Sequence, residues 1–327
     1  MELTMSEPMN TQPLYQVYSQ WLKAHYGEKV YKLPVNIPLT CPNRDGTVGQ
    51  GGCIYCGAKG GGLETLSDTL SITKQLEHNR TYIEKRYKAH KFIPFFQSFS
   101  NTYMPMEQFK AAVKEACGQK DVVALSIATR PDCIFQEHLD FLKRVQRDAG
   151  IDIVIELGLQ TANDHTLKII NRGHNLADYI AAAHGVKSHG LQLCTHVILD
   201  LPWDDHQDVK TTAGILSAVG SDFVKCHALY IERGTALAQM YASGAMALLD
   251  QDEYIQRCIL FLEHLDPVMV VQRIIGRAPA EDSITTNWNT SWWKVRDLLE
   301  ERMRSGGHYQ GRLYGLRQQE IRRKIIQ

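Results

Sequence analysis

From residue 92 onward, short apolar runs alternate with longer amphipathic stretches. Phe92–Phe99 (FIPFFQSF), Val122–Thr129 (VVALSIAT), Ile151–Leu159 (IDIVIELGL), Leu191–Leu199 (LQLCTHVIL) and Phe223–Ile231 (FVKCHALYI) are rich in β-branched and aromatic residues. Runs that are apolar on both faces are what strands of a covered parallel sheet require. Lys32–Leu39 is an earlier strand candidate, made irregular by Pro34 and Pro38. Helix-like stretches fill the gaps at Leu66–His90, Met106–Cys117, Gln136–Ala149, Asp164–Asn171, Leu176–His189 and Asp205–Val219. The repeat predicts an α/β fold: a partial (β/α)6 TIM-like barrel over residues 31–235, with an N-terminal helical extension (1–30) and a C-terminal extension (236–327). In that extension a helical stretch (Asp250–Leu265) precedes one more apolar run, Val268–Ile275, and a turn-rich piece carrying Trp288, Trp292 and Trp293. Trp292 and Trp293 are expected to pack the extension onto the barrel.

Length and charge change this picture little. A chain of 327 residues suits one α/β barrel, and a formal net charge of zero gives no whole-molecule attraction to nucleic acid. The end of the chain is less neutral: Arg302, Arg304, Arg312, Arg317, Arg322, Arg323 and Lys324 stand against Glu320 alone. That segment reads as a solvated terminal helix or as a phosphate-binding patch folded back near the barrel mouth. No run approaches the length of a membrane span, and the start, MELTMSEPMN, lacks the apolar region of a secretory signal. A reducing, cytoplasmic location is therefore expected.

Chemistry enters with CPNRDGTVGQGGCIYC, which holds Cys41, Cys53 and Cys56. Three thiolates on a glycine-rich loop suit an iron–sulfur cluster with one iron left open. Structural zinc normally wants four protein ligands, and the nearest histidines, His25 and His78, are remote in sequence. Open cluster, zinc site and chance trio all remain readings of these residues alone. Cys117, Cys133, Cys194, Cys226 and Cys258 are scattered singly and read as small buried apolar residues. The cysteine loop follows the first strand at the strand edge where barrels carry their chemistry.

The cysteine trio, the βα repeat and the strand-end residues together resemble radical S-adenosylmethionine (radical SAM) enzymes. Within these the chain is similar to the YhcC family, whose core resembles the radical SAM domain of the Elongator catalytic subunit. Eleven residues separate Cys41 from Cys53, where the usual superfamily motif has three; a long first gap is a mark of the Elongator-like branch. The resemblance implies a 4Fe–4S cluster held by Cys41, Cys53 and Cys56, with S-adenosylmethionine chelating the open iron. It implies that Tyr55 lies by the adenine, and that Gln97, Asn101 and Thr102 in QSFSNTY serve the methionine amine. Glu156 and Gln160, four apart in IELGLQ, resemble the residues that bind the ribose hydroxyls and the methionyl carboxylate. Arg130 in ATRPD offers a fork for a carboxylate, and His196 could face cofactor or substrate.

Each residue also has a structural reading. Gln97 and Asn101 can satisfy backbone groups at a strand end, Arg130 can pair with Asp132, and His196 and His227 can be satisfied core histidines. Glu156 is harder to dismiss, because a carboxylate buried without a partner is costly.

The activity implied is reductive cleavage of S-adenosylmethionine and hydrogen abstraction by a 5′-deoxyadenosyl radical, with electrons from a flavodoxin or ferredoxin. The Elongator resemblance implies tRNA as substrate, at the C5 side chain of a wobble uridine. Nothing the size of Elongator's acetyltransferase domain follows residue 235, so acetyl transfer is not expected. The other readings are a small-molecule or protein substrate, an iron–sulfur electron carrier, and a zinc-dependent nucleic-acid-binding module.

Overall fold

A computed structural model describes residues 13–58, 60, 65–278 and 281–315. The chain begins with α1 (Tyr18–Tyr26) and β1 (Val30–Val35), and after the cysteine loop continues through α2 (Ile72–Tyr87), β2 (Lys91–Phe96), α3 (Met106–Cys117) and β3 (Ala124–Thr129). It then runs through α4 (Gln136–Ala149), β4 (Asp152–Gln160), α5 (Asp164–Ile169), α6 (Leu176–Ser188), β5 (Gln192–Ile198), α7 (His206–Ala218) and β6 (Phe223–His227). The remainder comprises β7 (Ile231–Glu232), α8 (Ala236–Ala242), α9 (Gln251–His264), β8 (Val270–Arg273), β9 (Ser283–Thr285) and α10 (Trp292–Ser305).

Seven strands form one parallel sheet in the order β1-β2-β3-β4-β5-β6-β8, curled into a partial barrel; β7 and β9 form a separate antiparallel pair. The expected partial barrel is therefore present, with one strand more than the six units expected. The seventh is the Val268–Ile275 run, contributed by the C-terminal extension. Pro34 sits within β1, which is tolerable because β1 is an edge strand and its missing N–H leaves no central ladder bond unmade.

Local signals set the element ends. Asp205 caps α7 by accepting from the backbone N–H groups of Gln207 (2.7 Å) and Asp208 (2.9 Å), and Asn175 caps α6 through the N–H of Asp178 at 3.0 Å. Helix faces carrying Phe109, Val113, Leu142 and Leu216 are buried against the outer side of the sheet, each such side chain contributing about 2 kcal/mol. The N-terminal end of the barrel is closed by α1. Its Tyr18 and Trp21 rings meet Phe223 edge-on at 5.4 and 4.9 Å, over an apolar layer of Val154, Cys194, Phe223 and Val270. Val17 bridges to Val271, so the segment entering α1 also lines the edge of β8. With the bottom sealed by rings, the barrel interior is reached from the C-terminal strand edges.

No helix among the described residues is long and apolar enough to cross a membrane. The turn-rich piece packs inward: Trp288 donates to the Leu249 carbonyl at 2.8 Å and, like Trp292, packs partly buried against the core, whereas Trp293 is half exposed.

The basic C-terminal segment differs from the patch expected of it. Arg302 pairs with Asp252 (2.5 Å), Arg304 with Glu300 (3.0 Å) and Arg312 with Glu263. The Gln310 amide donates to the carbonyls of Asp266 and Met269 at 2.6 and 2.7 Å, and the Gly311 N–H to that of Leu262 at 2.9 Å. The segment after α10 thus docks where α9 ends and β8 begins, at the barrel edge opposite the cysteines. Arg317, Arg322, Arg323 and Lys324 lie outside the described residues.

Candidate active site

The loop after β1 folds back on itself, and this brings Cys41 to the other cysteines. The N–H groups of Arg44 and Asp45 turn onto the Cys41 carbonyl (2.8 and 3.3 Å). An isolated antiparallel bridge joins Asp45 to Gln50, and the Gly52 N–H returns to the Asn43 carbonyl at 2.8 Å. Gly52 sits at φ +85°, in the left-handed region open to glycine. Two distant segments then grip the loop. The Ile54 N–H donates to the Ile170 carbonyl (3.1 Å), and its carbonyl accepts from the Leu237 N–H at the start of α8 (2.9 Å). Asn43 donates to the Asn171 carbonyl at 2.6 Å, and the Asn171 amide donates back to that of Gly52 at 2.8 Å.

Cys41, Cys53 and Cys56 line one cavity of roughly 260 Å³ at the C-terminal strand edges, together with Tyr55, Gln97, Arg130, Glu156, Gln160 and His196. Nine of the eleven residues singled out in the sequence therefore meet there. Asn101 and Thr102 do not. The Asn101 amide spans the carbonyls of Phe96 (3.1 Å), Ser98 (3.0 Å) and Ala128 (2.8 Å), and the Thr102 hydroxyl is shared with Thr129 and the Cys133 carbonyl, both at 2.6 Å. Both side chains brace the end of β2 against β3, because buried carbonyls at strand ends need donors.

Cations surround the thiols. Arg44 donates to Cys56 Sγ (3.2 Å) and to the Cys56 and Gly57 carbonyls; Arg172, fully buried, donates to Cys53 Sγ (3.4 Å) and the Gly158 carbonyl (2.7 Å). Burial alone would raise the Cys53 thiol, but Arg172 beside it, with Arg130 further off, carries it below its ordinary value. Cys56 goes the other way: burial and the neighbouring Cys53 outweigh Arg44. Among the described residues, Glu156, Cys194 and His196 form the group of ligand atoms within 4.8 Å of one another; the three loop cysteines are spread more widely around the cavity. Neither Arg44 nor Arg172 stood out in the sequence, where a charged residue in a loop reads as solvated.

Arg130 grips Asp132 with two parallel bonds of 2.8 Å, and its remaining Nη1 has no partner although it is buried against the cavity. Gln160 adopts φ +80°, unusual for a residue with a side chain, where the β4–β5 register slips after Gly158. That bulge turns its amide into the cavity. Gly57 has no room for a side chain, since an added Cβ would stand 1.5 Å from Glu232 Oε1.

Deeper in the barrel, Glu156 is saturated by protein donors. One oxygen accepts from Lys32 and Ser126, the other from His196 Nε2 (2.7 Å) and Lys225 (3.2 Å). Two lone pairs per oxygen are thereby used, so Glu156 reaches the cavity wall with its acceptors already taken. Burial would raise its pKa, but Lys225, Lys32 and His196 hold it well below the ordinary carboxylate range. The hydrogen bonds continue in one direction. Arg273 can only donate, so His227 Nδ1 accepts from it (2.9 Å); His227 Nε2–H then donates to His196 Nδ1 (3.2 Å), and His196 Nε2–H to Glu156. Both imidazoles are neutral with fixed tautomers: burial brings His196 down to about 4 and His227 well below its ordinary value. His196 therefore borders the cavity with both ring nitrogens committed.

A curled parallel sheet, three cysteines after its first strand and polar strand ends facing one cavity define a radical SAM enzyme. The Radical SAM superfamily profile matches residues 39–215 and the Radical SAM C-terminal domain profile residues 221–305, and the chain belongs to this superfamily. It is 31% identical over 285 residues to protein YhcC of Escherichia coli K12, covering 87% of this chain and 91% of that one. A tRNA uridine(34) acetyltransferase of Methanocaldococcus infernus is 28% identical over 137 residues, 41% of this chain and 25% of that protein. Among solved structures, an archaeal Elp3 from Methanocaldococcus infernus superposes with a TM-score of 0.64 at 19% identity, covering 87% of this chain and 67% of that one. That match shows a shared fold.

The superfamily's cofactors are a 4Fe–4S cluster and S-adenosylmethionine, and the residues here fit them. Three thiols with guanidinium groups behind them suit an anionic thiolate cluster. The orphaned Arg130 Nη1 offers a buried donor for a carboxylate, and the Gln160 amide is turned toward the same space.

Proposed function

We propose that Cys41, Cys53 and Cys56 hold a 4Fe–4S cluster, and that the chain reductively cleaves S-adenosylmethionine and abstracts a hydrogen atom from substrate. The observation that carries this reading is the meeting of all three thiols with Gln97, Arg130 and Gln160 in one cavity at the strand edges. A cluster held there and reduced by a low-potential flavodoxin or ferredoxin would supply the electron for cleaving the sulfonium bond of S-adenosylmethionine. The protein's own groups do the rest. Arg44 and Arg172 stabilise the thiolates, Arg130 and Gln160 receive the methionyl end, and Tyr55 flanks the adenine. Glu156 orders the lysines and histidines beneath. All eight cysteines are free, in keeping with a reducing, cytoplasmic setting. Anaerobic reconstitution with iron and sulfide should give broad visible absorption and, with dithionite, 5′-deoxyadenosine; a colourless zinc protein would overturn the assignment.

We further propose that the substrate is tRNA, modified at the C5 side chain of a wobble uridine. The similarity to a tRNA uridine(34) acetyltransferase supports this, as does Arg277, exposed at the cavity rim where a phosphate would pass. Mass spectrometry of tRNA nucleosides from a strain lacking the protein tests it. The expected result is the loss of one modified uridine; an unchanged nucleoside profile would point to a small-molecule or protein substrate.

A further inference from the structure

The loop that carries the three cysteines also turns one of its own cations onto them. Each thiol has a donor beside it. Ser100 Oγ lies 3.7 Å from Cys41 Sγ, Arg172 and Asn43 lie 3.4 and 3.7 Å from Cys53 Sγ, and Arg44 Nη2 lies 3.2 Å from Cys56 Sγ. The Arg44 contact is the shortest of these, and Arg44 belongs to the eleven residues that separate Cys41 from Cys53. Its Nη2 is shared with the Cys56 and Gly57 carbonyls, so backbone acceptors hold the guanidinium at the thiol. The gap is folded to present this side chain. Its Val48 N–H returns to the Pro42 carbonyl at 2.8 Å and its Gly46 N–H to that of Gly49 at 3.1 Å, a small hairpin that starts from Arg44 turned onto Cys41. At Gly52, with φ +85°, an added Cβ would stand 3.0 Å from both Arg44 Cγ and Nε. The guanidinium carbon also lies 5.3 Å from the centre of the Phe99 ring, and Phe99 holds φ +57°, a region costly for an aromatic residue. Two positions outside the ordinary backbone regions thus border one side chain, and strain kept in this way is a mark of function.

We propose that Arg44 sets the reduction potential of the cluster, holding it above the value the three thiolates alone would give, and that the long gap between Cys41 and Cys53 serves to place it. The proposal rests on the reading of Cys41, Cys53 and Cys56 as cluster ligands. Reduction adds one electron, taken from the flavodoxin or ferredoxin, and the added negative charge is shared by the thiolate sulfurs. A cation that donates to one of them therefore favours the reduced state. The neutral Ser100 hydroxyl, farther from Cys41, has a smaller effect of the same kind. Arg44 acts through Cys56, so it is a positioning residue and not a catalytic one.

The test compares the anaerobically reconstituted parent with Arg44→Met and Arg44→Lys. The midpoint potential is read from the electron paramagnetic resonance signal of the reduced cluster as dithionite and mediators set the solution potential. In Arg44→Met the ratio of reduced to oxidised cluster at a fixed solution potential should fall about tenfold, which is about 59 mV for one electron. Arg44→Lys brings a charged nitrogen with N–H donors to the same place and should recover most of that loss. Iron and sulfide content should stay close to the parent's, since all three thiols remain. If Arg44→Met holds no cluster, Arg44→Gln takes its place; it keeps an amide donor without the charge and should show the same fall. An arginine that only shapes the loop would lower iron content and leave the potential of the clusters that form unmoved. That result overturns the proposal alone, whereas a parent protein that takes up no iron–sulfur cluster overturns the reading of the trio and this proposal with it.

Discussion

Replacing Glu156 with Gln keeps the side chain's shape and removes its charge, so no cavity is created and the effect is electrostatic. Two lysines, a serine and a histidine lose a carboxylate that accepted from all four. Removing one member of a buried ion pair costs about 3–5 kcal/mol, because the partner is left charged and unpaired. The pH dependence identifies that partner. Lys225 falls from 10.5 to about 8 in the folded chain, so between these values the unfolded state binds more protons and stability rises with pH. The gain across that window is roughly 3 kcal/mol in the parent protein. Without Glu156 the folded-state value drops further, and the variant begins to recover at lower pH than the parent. Urea unfolding followed by far-ultraviolet circular dichroism, with cluster content matched, should show the variant about 3–5 kcal/mol less stable at pH 6 and the gap narrowing up to about pH 8, above which both proteins gain stability in parallel. A loss below about 1 kcal/mol, the size of a single neutral hydrogen bond, or a gap that does not change with pH would refute the reasoning.

Serine at Cys41, Cys53 or Cys56 should in each case abolish stable iron binding, whereas Cys133→Ala should retain it; iron and sulfide analysis after reconstitution checks both. Arg172→Met removes the guanidinium that lowers the Cys53 thiol, so the pH profile of alkylation of Cys53 in the cluster-free protein should move to higher pH. Gly57→Ala drives a methyl group into the Glu232 carboxylate, and iron content should fall; combining it with Glu232→Ala should restore the cluster if the clash is the cause.

The barrel was legible because its strands read as short, mostly apolar runs alternating with amphipathic stretches, and the seventh strand lies in a run of the same kind, Val268–Ile275. That Cys41, Cys53 and Cys56 would line one cavity was legible because a single glycine-rich loop carries all three. What escaped the sequence depends on which way a charged side chain turns. Lys225 shares one face of β6 with Phe223 and His227, a set compatible with either side of the sheet, and only the curl of the sheet turns that face inward. Arg172 follows Asn171 in an unremarkable turn, yet the Asn43–Asn171 exchange brings it under Cys53. Asn101 and Thr102 were misleading for a related reason: short polar residues after a strand serve backbone carbonyls as readily as ligands. The basic terminus looked unbalanced because its carboxylate partners, Asp252, Glu263 and Glu300, lie upstream of the segment.

The anchoring of the cysteine loop has a consequence for how the protein is made. Ile54 is held by Ile170 and by Leu237, 116 and 183 residues further along (170 − 54 and 237 − 54). At roughly 5–20 residues per second, synthesis reaches the second anchor about 10–40 s after the cysteines are made. During that interval the thiols are present while the walls that arrange them are not. Iron delivered early meets an open loop, and a chain interrupted before α8 has every cysteine of the trio and no finished pocket. Cluster insertion therefore belongs after α8 has been made, and a segment synthesised late controls the chemistry of a loop synthesised early.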